Sequence, residues 1–332
     1  QAAIEHWFRL QWQEHATPFY SSVDLRNAGF KLAPVDTNLF PGGFNNLNPA
    51  FLTLAVQAAR VAVEKMCSSA QRFLLIPENH TRNLFYLQNV AALADILRKT
   101  GLTVRIGSLI PDLAEPLAID LPDGSVLKLE PVRRDGDRLV LEGFDPCAIL
   151  LNNDLSAGVP GPLKGLDAMQ TLLPPLHAGW STRLKSNHFA AYRDVAEAFA
   201  RVIGVDPWLI DPYFEQCGEV DFQTRDGEEC LATHVEQVLA SIRRKYAEYG
   251  IDREPFVIVK ADAGTYGMGI MTVKDASEVK NLNRKQRNKM AVVKEGMAVT
   301  EVIIQEGVPT FERVDEGTAE PVVYMIDRYV VG

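Results

Sequence analysis

The chain has 332 residues, 47% of them apolar and 23% charged, with a net charge of −9. That length can bury a core in two or three subdomains, and no apolar run reaches the roughly 20 residues that cross a bilayer. The acidic balance argues against a general binder of nucleic acid or anionic membrane, whose phosphates require clustered lysine and arginine.

The opening stretch, QAAIEHWFRLQWQEH, carries Glu5, His6 and Arg9 and lacks the apolar segment of a secretory leader. It also lacks an initiator Met, so a trimmed N-terminus is expected. Apolar residues at helical spacing predict a helix over 50–67, entered through Asn48-Pro49. Arg72–Ile76 (RFLLI) reads as a buried strand, 83–100 as a second amphipathic helix ending at Gly101, and Leu102–Ile106 (LTVRI) as the next strand. Such alternation predicts βαβ units and a mainly parallel sheet. Short strands at 125–129 and 138–141, flanked by the turns Pro122-Asp123-Gly124 and Asp135-Gly136-Asp137, read as an appended β-meander. Ala148–Leu151 is a further buried strand that delivers Asn152, Asn153 and Asp154 to its carboxyl end, where open α/β sheets bind ligands.

A loop-like stretch, SAGVPGPLKG (156–165), suggests a boundary between regions 1–155 and 156–332. Helices are predicted over 186–203 and 234–249, and strand-like runs over 299–305 and 320–331. The basic run at 280–289 reads as a solvated face. The β-rich run at the C-terminus leads us to expect further residues in the full protein.

Four cysteines (Cys67, Cys147, Cys217, Cys230) with no CxxC suit a reducing cytosol. Cys230 and His234 are spaced to share a helix face. A zinc site needs further ligands at similar spacing, none is found, and no structural metal is assigned.

The segment FVIVKADAGTYGMGIMTV (256–273) carries the clearest chemistry. Gly264, Gly267 and Gly269 let backbone N–H groups approach a ligand, and Lys260 supplies a point charge suited to phosphate. A Walker A or dinucleotide fingerprint must open a helix, whereas these glycines lead into a second β-rich run. The expected element is a β-hairpin flap over phosphate. The run VIIQEGV (302–308) offers an apolar slot for a purine, with Glu306 available to ribose hydroxyls. Arg328, on a strand beside Tyr329, and Lys185 are candidate anion contacts. Near the N-terminus, the loop-rich stretch 23–48 reads either as hydrated scaffold or as a site for a small zwitterion. In the second case Arg26 and Lys31 answer a carboxylate and Asp24 or Asp36 an ammonium. Asp262 could approach magnesium, although acids in flap loops usually serve the turn. There is no G-x-S-x-G elbow, no H-E-x-x-H and no supported Cys/His pair, so hydrolase chemistry has no foothold.

Lys260 before its G-x-x-G-x-G hairpin, the run VIIQEGV and the arginine of YMIDRYVV together resemble an ATP-grasp module. More closely, SVDLRNAGFKLAPVDTNLFPGGFNNL, VIVKADAGTYGMGIMTV and AEPVVYMIDRYVVG resemble the proteobacterial glutamate–cysteine ligases of ATP-grasp type. The resemblance implies an α/β fold, α+β in its C-terminal part. An N-terminal substrate-binding domain (1–155) would precede an ATP-grasp region (156–332). It implies a cytoplasmic enzyme that uses ATP and Mg²⁺ to activate the γ-carboxylate of glutamate for attack by cysteine. Lys260 and Lys185 would bind phosphates, Gly264, Gly267 and Gly269 would form the flap, and Gln305, Glu306 and Val308 would line the adenine slot. Arg328 would contact the transferring phosphate. Arg26, Lys31, Asp36, Asn38, Asn45 and Asn46 are the expected amino-acid contacts. Family magnesium ligands follow the strand that holds this arginine, so none is named. Another carboxylate–amine ligase, such as a glutathione synthetase or peptide ligase, and a non-catalytic nucleotide-binding module stay open.

Overall fold

Helix α1 (Ala2–Glu14) buries none of its own residues, and its Trp7 and Phe8 rings lie 5.1 and 5.4 Å from Phe199. It leads a computed structural model that describes residues 1–263, 269–292 and 298–332. Strands β1 (Tyr20–Asn27) and β2 (Leu32–Asn38) then pair antiparallel, with Asp24 opposite Asp36 and a bulge immediately after. The bulge places Val35 between the pairs Asp24–Asp36 and Leu25–Pro34 and re-aims the backbone there.

The predicted α/β alternation is present. Helix α2 (Leu52–Met66) follows a short 3-10 turn whose Asn48 side chain accepts from the Ala50 N–H. Its buried face is Ala55, Ala58, Ala59, Ala62 and Val63, small residues that let the helix lie close to its neighbours. Strand β3 (Arg72–Pro77), helix α3 (Leu84–Lys99, capped by Asn83) and strand β4 (Thr103–Ser108) complete the first βαβ unit. The expected meander is corrected. Strands β5 (Leu117–Asp120) and β6 (Val126–Pro131) form a hairpin, but β6 also pairs parallel to β4 and extends the main sheet. The physical reason is its alternation, because Leu127 and Leu129 point into the core. Within the expected meander, β7 (Arg133–Asp135) and β8 (Arg138–Val140) make a separate ribbon. With β9 (Ala148–Asn152) and β10 (Thr171–Leu173), the sheet order is β10-β9-β3-β4-β6-β5, parallel except at β5. Its central strands are covered on both faces: Phe73 and Leu75 meet α2 and α3, while Leu74 and Ile76 meet Leu163, Leu166 and Trp180.

Helix α4 (Lys185–Ile203) opens the second half, followed by β11 (Phe214–Cys217), α5 (Glu228–Tyr249), β12 (Val257–Ala261) and β13 (Ile270–Val273). Two short helices, α6 (Ser277–Lys280) and α7 (Arg284–Met290), carry the basic run, and β14 (Val302–Glu306) closes a sheet of order β11-β14-β12-β13. Helix α5 packs Leu231, Val235, Leu239 and Ile242 against it. After the ribbon β15 (Arg313–Val314) and β16 (Gly317–Thr318), β17 (Val322–Ile326) and β18 (Tyr329–Val330) return to β1 in the order β18-β17-β1-β2. The last strands of the chain thus share a sheet with its first.

Candidate active site

Strands β12 and β14 run antiparallel, with Ile258 opposite Gln305 and Lys260 opposite Ile303. Side chains alternate across a sheet, so Phe256, Ile258 and Lys260 project to one face, with Gln305 beside Ile258. Across β12 from the other side, Ile270 of β13 stands opposite Lys260. Together with Val308, Pro309 and Thr310 beyond β14, and with Asp24, Arg26, Val35 and Asp36 from β1 and β2, these residues line a cleft of about 520 Å³. That volume is in the range of small-molecule and cofactor sites. From Phe256 to Lys260 the strand runs about 13 Å, the scale of an extended nucleoside triphosphate. The apolar end (Phe256, Ile258, Val308) suits a ring, and the lysine end suits phosphate. The Gln305 amide nitrogen is buried and has no hydrogen-bond partner among the described residues, a donor facing a slot. Gly307 is required here, because a Cβ on it would lie 2.1 Å from the Phe256 ring and displace it.

Two buried lysines meet at the polar end. Lys260 donates to the carbonyl of the bulged Val35 at 2.6 Å, and burial lowers its pKa from the ordinary lysine range. Lys185, the first residue of α4, holds its ammonium 3.9 Å from the Trp180 ring centroid, and burial lowers it to about 8. Asp262 joins their two elements. Its carboxylate accepts from the Ser186 N–H at 2.7 Å, the Ser186 hydroxyl at 2.5 Å and the Gln216 amide at 3.0 Å. Fully buried and accepting these three hydrogen bonds, Asp262 ties the first turn of α4 to the end of β12, the elements that carry Lys185 and Lys260. Facing them, Asp24 is raised to about 6, by burial first and by the charge of Asp36 second.

The comparisons with known proteins bear on this geometry. A family model described as GshA, glutamate-cysteine ligase, matches residues 1–332. The chain belongs to the glutamate–cysteine ligase family. A crystal structure from Methylobacillus flagellatus KT, provisionally described as a gamma-glutamylcysteine synthetase, is 67% identical with a TM-score of 0.93. The match covers 99% of this chain and 77% of that one. A RimK domain ATP-grasp protein from Sphaerobacter thermophilus is 13% identical over 71% of this chain and 64% of its own, with a TM-score of 0.33. The D-alanyl-alanine synthetase A of Vibrio cholerae is 8% identical over 78% and 68%, also at 0.33. A search of curated proteins found no significant match.

For a glutamate–cysteine ligase, the expected site residues divide into those the fold gathers and those it does not. Lys185, Lys260, Gln305, Val308, Arg26 and Asp36 all line the one cleft, although they come from four separate stretches of chain. Gly269 adopts φ 62° at the start of β13, where glycine is favoured, while Gly264 and Gly267 lie outside the described residues.

Three expectations need correction. Lys31 is sealed in a buried ion pair with Glu306 at 2.8 Å and donates to the Asp211 carbonyl at 2.8 Å, so it cannot meet a substrate carboxylate. Glu306 stands one residue past Gln305 and its side chain points to the opposite face. There its carboxylate also accepts from Trp208 Nε1 and the Tyr213 N–H, so Glu306 lines the cleft as expected but its carboxylate is taken and cannot hold ribose hydroxyls. Arg328 belongs to the two-residue turn between β17 and β18, is exposed, and lies 5.1 Å over the Trp12 ring of α1. It is not among the residues that line the cleft.

Asn38 and Asn46 reach a second cavity, about 370 Å³, at the carboxyl ends of β3 and β9. Asp36 and Asn38 are alternate residues of β2, so the two cavities adjoin along one strand face, about 7 Å apart in the strand direction. The second cavity is bounded by the buried carboxylates of Glu78 and Asp154, with Tyr86 and Tyr324. Its floor is rigid: Asn89 donates to Asn152 at 3.0 Å and accepts from the Phe44 N–H, and Asn152 donates to Tyr20 and to the Pro41 carbonyl. Asn45 instead borders a groove against α3. Glu78, Phe256 and Arg183, which holds Thr37 through two hydrogen bonds, were not singled out as site residues in the sequence. Of these only Phe256 had a readable signal, its two-residue spacing from Ile258 and Lys260.

Proposed function

We propose that the chain uses ATP to join the γ-carboxylate of glutamate to the amine of cysteine, with the β12–β14 cleft holding the nucleotide and the adjoining cavity the amino acid. The observation that carries this reading is the pair of buried lysines, Lys185 and Lys260, between an apolar slot and an acid- and amide-lined pocket. Phe256, Ile258 and Val308 sandwich the base, and Gln305 donates to it. Lys185 and Lys260 neutralise the triphosphate as a carboxylate oxygen of glutamate attacks the γ-phosphorus and ADP leaves. The amine of cysteine then attacks the acyl phosphate, releasing phosphate and forming the amide. Such steps ask the protein for positioning and preorganised charge and for no side-chain nucleophile.

Mg²⁺ is the metal we propose, since it binds through phosphate oxygens with only one or two carboxylates. Asp24 and Asp36, opposed across β1 and β2 at the cleft, are suited to hold it, and bound there it would screen phosphate charge. That role replaces the ammonium contact expected of Asp36. Glu78 and Asp154 take the ammonium instead, and Arg26 is kept as the partner of an acidic group. Regions 1–155 and 156–332 are proposed as substrate-binding and nucleotide-binding domains, with β1 and β2 contributing to both. A cytoplasmic location is proposed on the four free cysteines.

The test is ADP release across a panel of amino-acid pairs. Glutamate with cysteine is expected to support turnover far above any other pair. Preference for γ-glutamylcysteine with glycine, or for two copies of one amino acid, would overturn the specificity. Lys260→Ala is expected to lose about 10²–10³-fold in turnover, the scale of removing one preorganised charge donor, with its circular dichroism unchanged.

A further inference from the structure

One cluster of ligating side chains lies outside both cavities. The buried Cys217 ends β11, and Cys230 and His234 stand one turn apart near the start of α5. The fold brings Cys217 Sγ to 2.8 Å from Cys230 Sγ, and Cys230 Sγ to 3.5 Å from His234 Nδ1. All three ligand atoms fall within 4.8 Å of one another. The two cysteines are free thiols. They stand thirteen positions apart in sequence, so it is the packing of an edge strand on the first turns of a helix that assembles the set.

We infer that Cys217, Cys230 and His234 form a zinc site that pins β11 to α5. Tetrahedral zinc with bonds of about 2.3 Å to sulfur and about 2.0 Å to nitrogen separates two sulfurs by about 3.8 Å and a sulfur from a nitrogen by about 3.5 Å. The Cys230–His234 separation already matches. The two sulfurs must part by about 1 Å, which Cys230 can supply because it is exposed while Cys217 is held in the core. Two thiolates and an imidazole select a soft or borderline cation, so the site discriminates against the magnesium that accompanies ATP. Glu229, the neighbouring acid, is paired to Lys280 at 2.5 Å, leaving the fourth position to water. The site matters to the cleft through β11: Gln216, adjacent to Cys217, donates to Asp262, which ties the helix of Lys185 to the strand of Lys260.

The experiment titrates chelator-dialysed full-length protein with ZnCl₂ against a chromogenic zinc indicator, beside His234→Ala and Cys230→Ser. Wild type is expected to take one zinc per chain, to melt at a higher temperature when loaded, and to show a thiolate-to-metal charge-transfer band with Co²⁺. Both variants should weaken binding by more than about a hundredfold, beyond the roughly 10–100-fold that outer partners of a metal site control. His234 is only half-buried on the helix surface, so its replacement keeps the fold, which circular dichroism checks. The inference fails if wild type and His234→Ala bind zinc equally, or if wild type holds no zinc and its two thiols simply couple to a disulfide under air.

Discussion

Replacing Lys31 tests whether its ammonium serves the fold or the substrate. Lys31 and Glu306 have side chains 0% and 1% exposed, their charged atoms are 2.8 Å apart, and the ammonium lies 4.5 Å from the Trp208 ring centroid. In Lys31→Met the aliphatic stem is kept, so packing is nearly conserved, but Glu306 becomes a buried anion. Breaking one side of such a pair costs about 3–5 kcal/mol. Trp208 Nε1 at 3.1 Å and the Tyr213 N–H at 3.0 Å still donate to the carboxylate, which argues for the lower half of that range. A loss of about 3–4 kcal/mol lowers the melting temperature by roughly 6–8 °C, at about 2 °C per kcal/mol for a chain of this size. The double variant Lys31→Met/Glu306→Gln removes the stranded charge and is expected to recover about 2 kcal/mol of that loss. Denaturant unfolding of the four proteins closes the cycle, with amino-acid KM measured alongside. A single variant that loses under about 1 kcal/mol while raising the KM for one amino acid would refute the reasoning and restore Lys31 to the substrate.

The remaining predictions concern charge at the cleft. Burial raises Asp24 from 3.8 to about 6, so the folded protein binds more protons than the unfolded chain between those values and stability falls as pH rises through them. Asp24→Asn is therefore expected to stabilise the protein at pH 7 by up to about 3 kcal/mol while lowering ligase activity, a trade that calorimetry and ADP release measure together. Lys185, held near 8 by burial, loses its charge in the free enzyme above that pH, so kcat/KM for ATP should decline on the alkaline side. Lys185→Arg should remove that limb from the pH profile, and an unchanged profile would clear Lys185 of the phosphate role. Arg328→Ala should leave turnover at the wild-type level, because its guanidinium stacks on Trp12 and Tyr329; a large loss of kcat would put it back at the phosphate.

Chain-local order was legible without coordinates, since the helices over 52–66 and 84–99 and the strands β3, β4 and β9 all follow from apolar periodicity and capping residues. The same holds for Lys260 entering a hairpin in place of a helix, because strand alternation on both sides of the glycines is a property of neighbouring residues. What sequence could not decide was which distant groups meet. Lys31 and Glu306 are 275 residues apart, and nothing near either marks it as the other's partner. Arg328 read as a strand residue until Ile326 and Tyr329 paired around it, and Cys217 gained its neighbours only when β11 settled on α5. Periodicity depends on the backbone of each segment alone, whereas the partner of a buried charge, a thiol or a turn depends on how segments pack. That packing is tertiary, and it separated the lysines that face the cleft from the one that braces its wall.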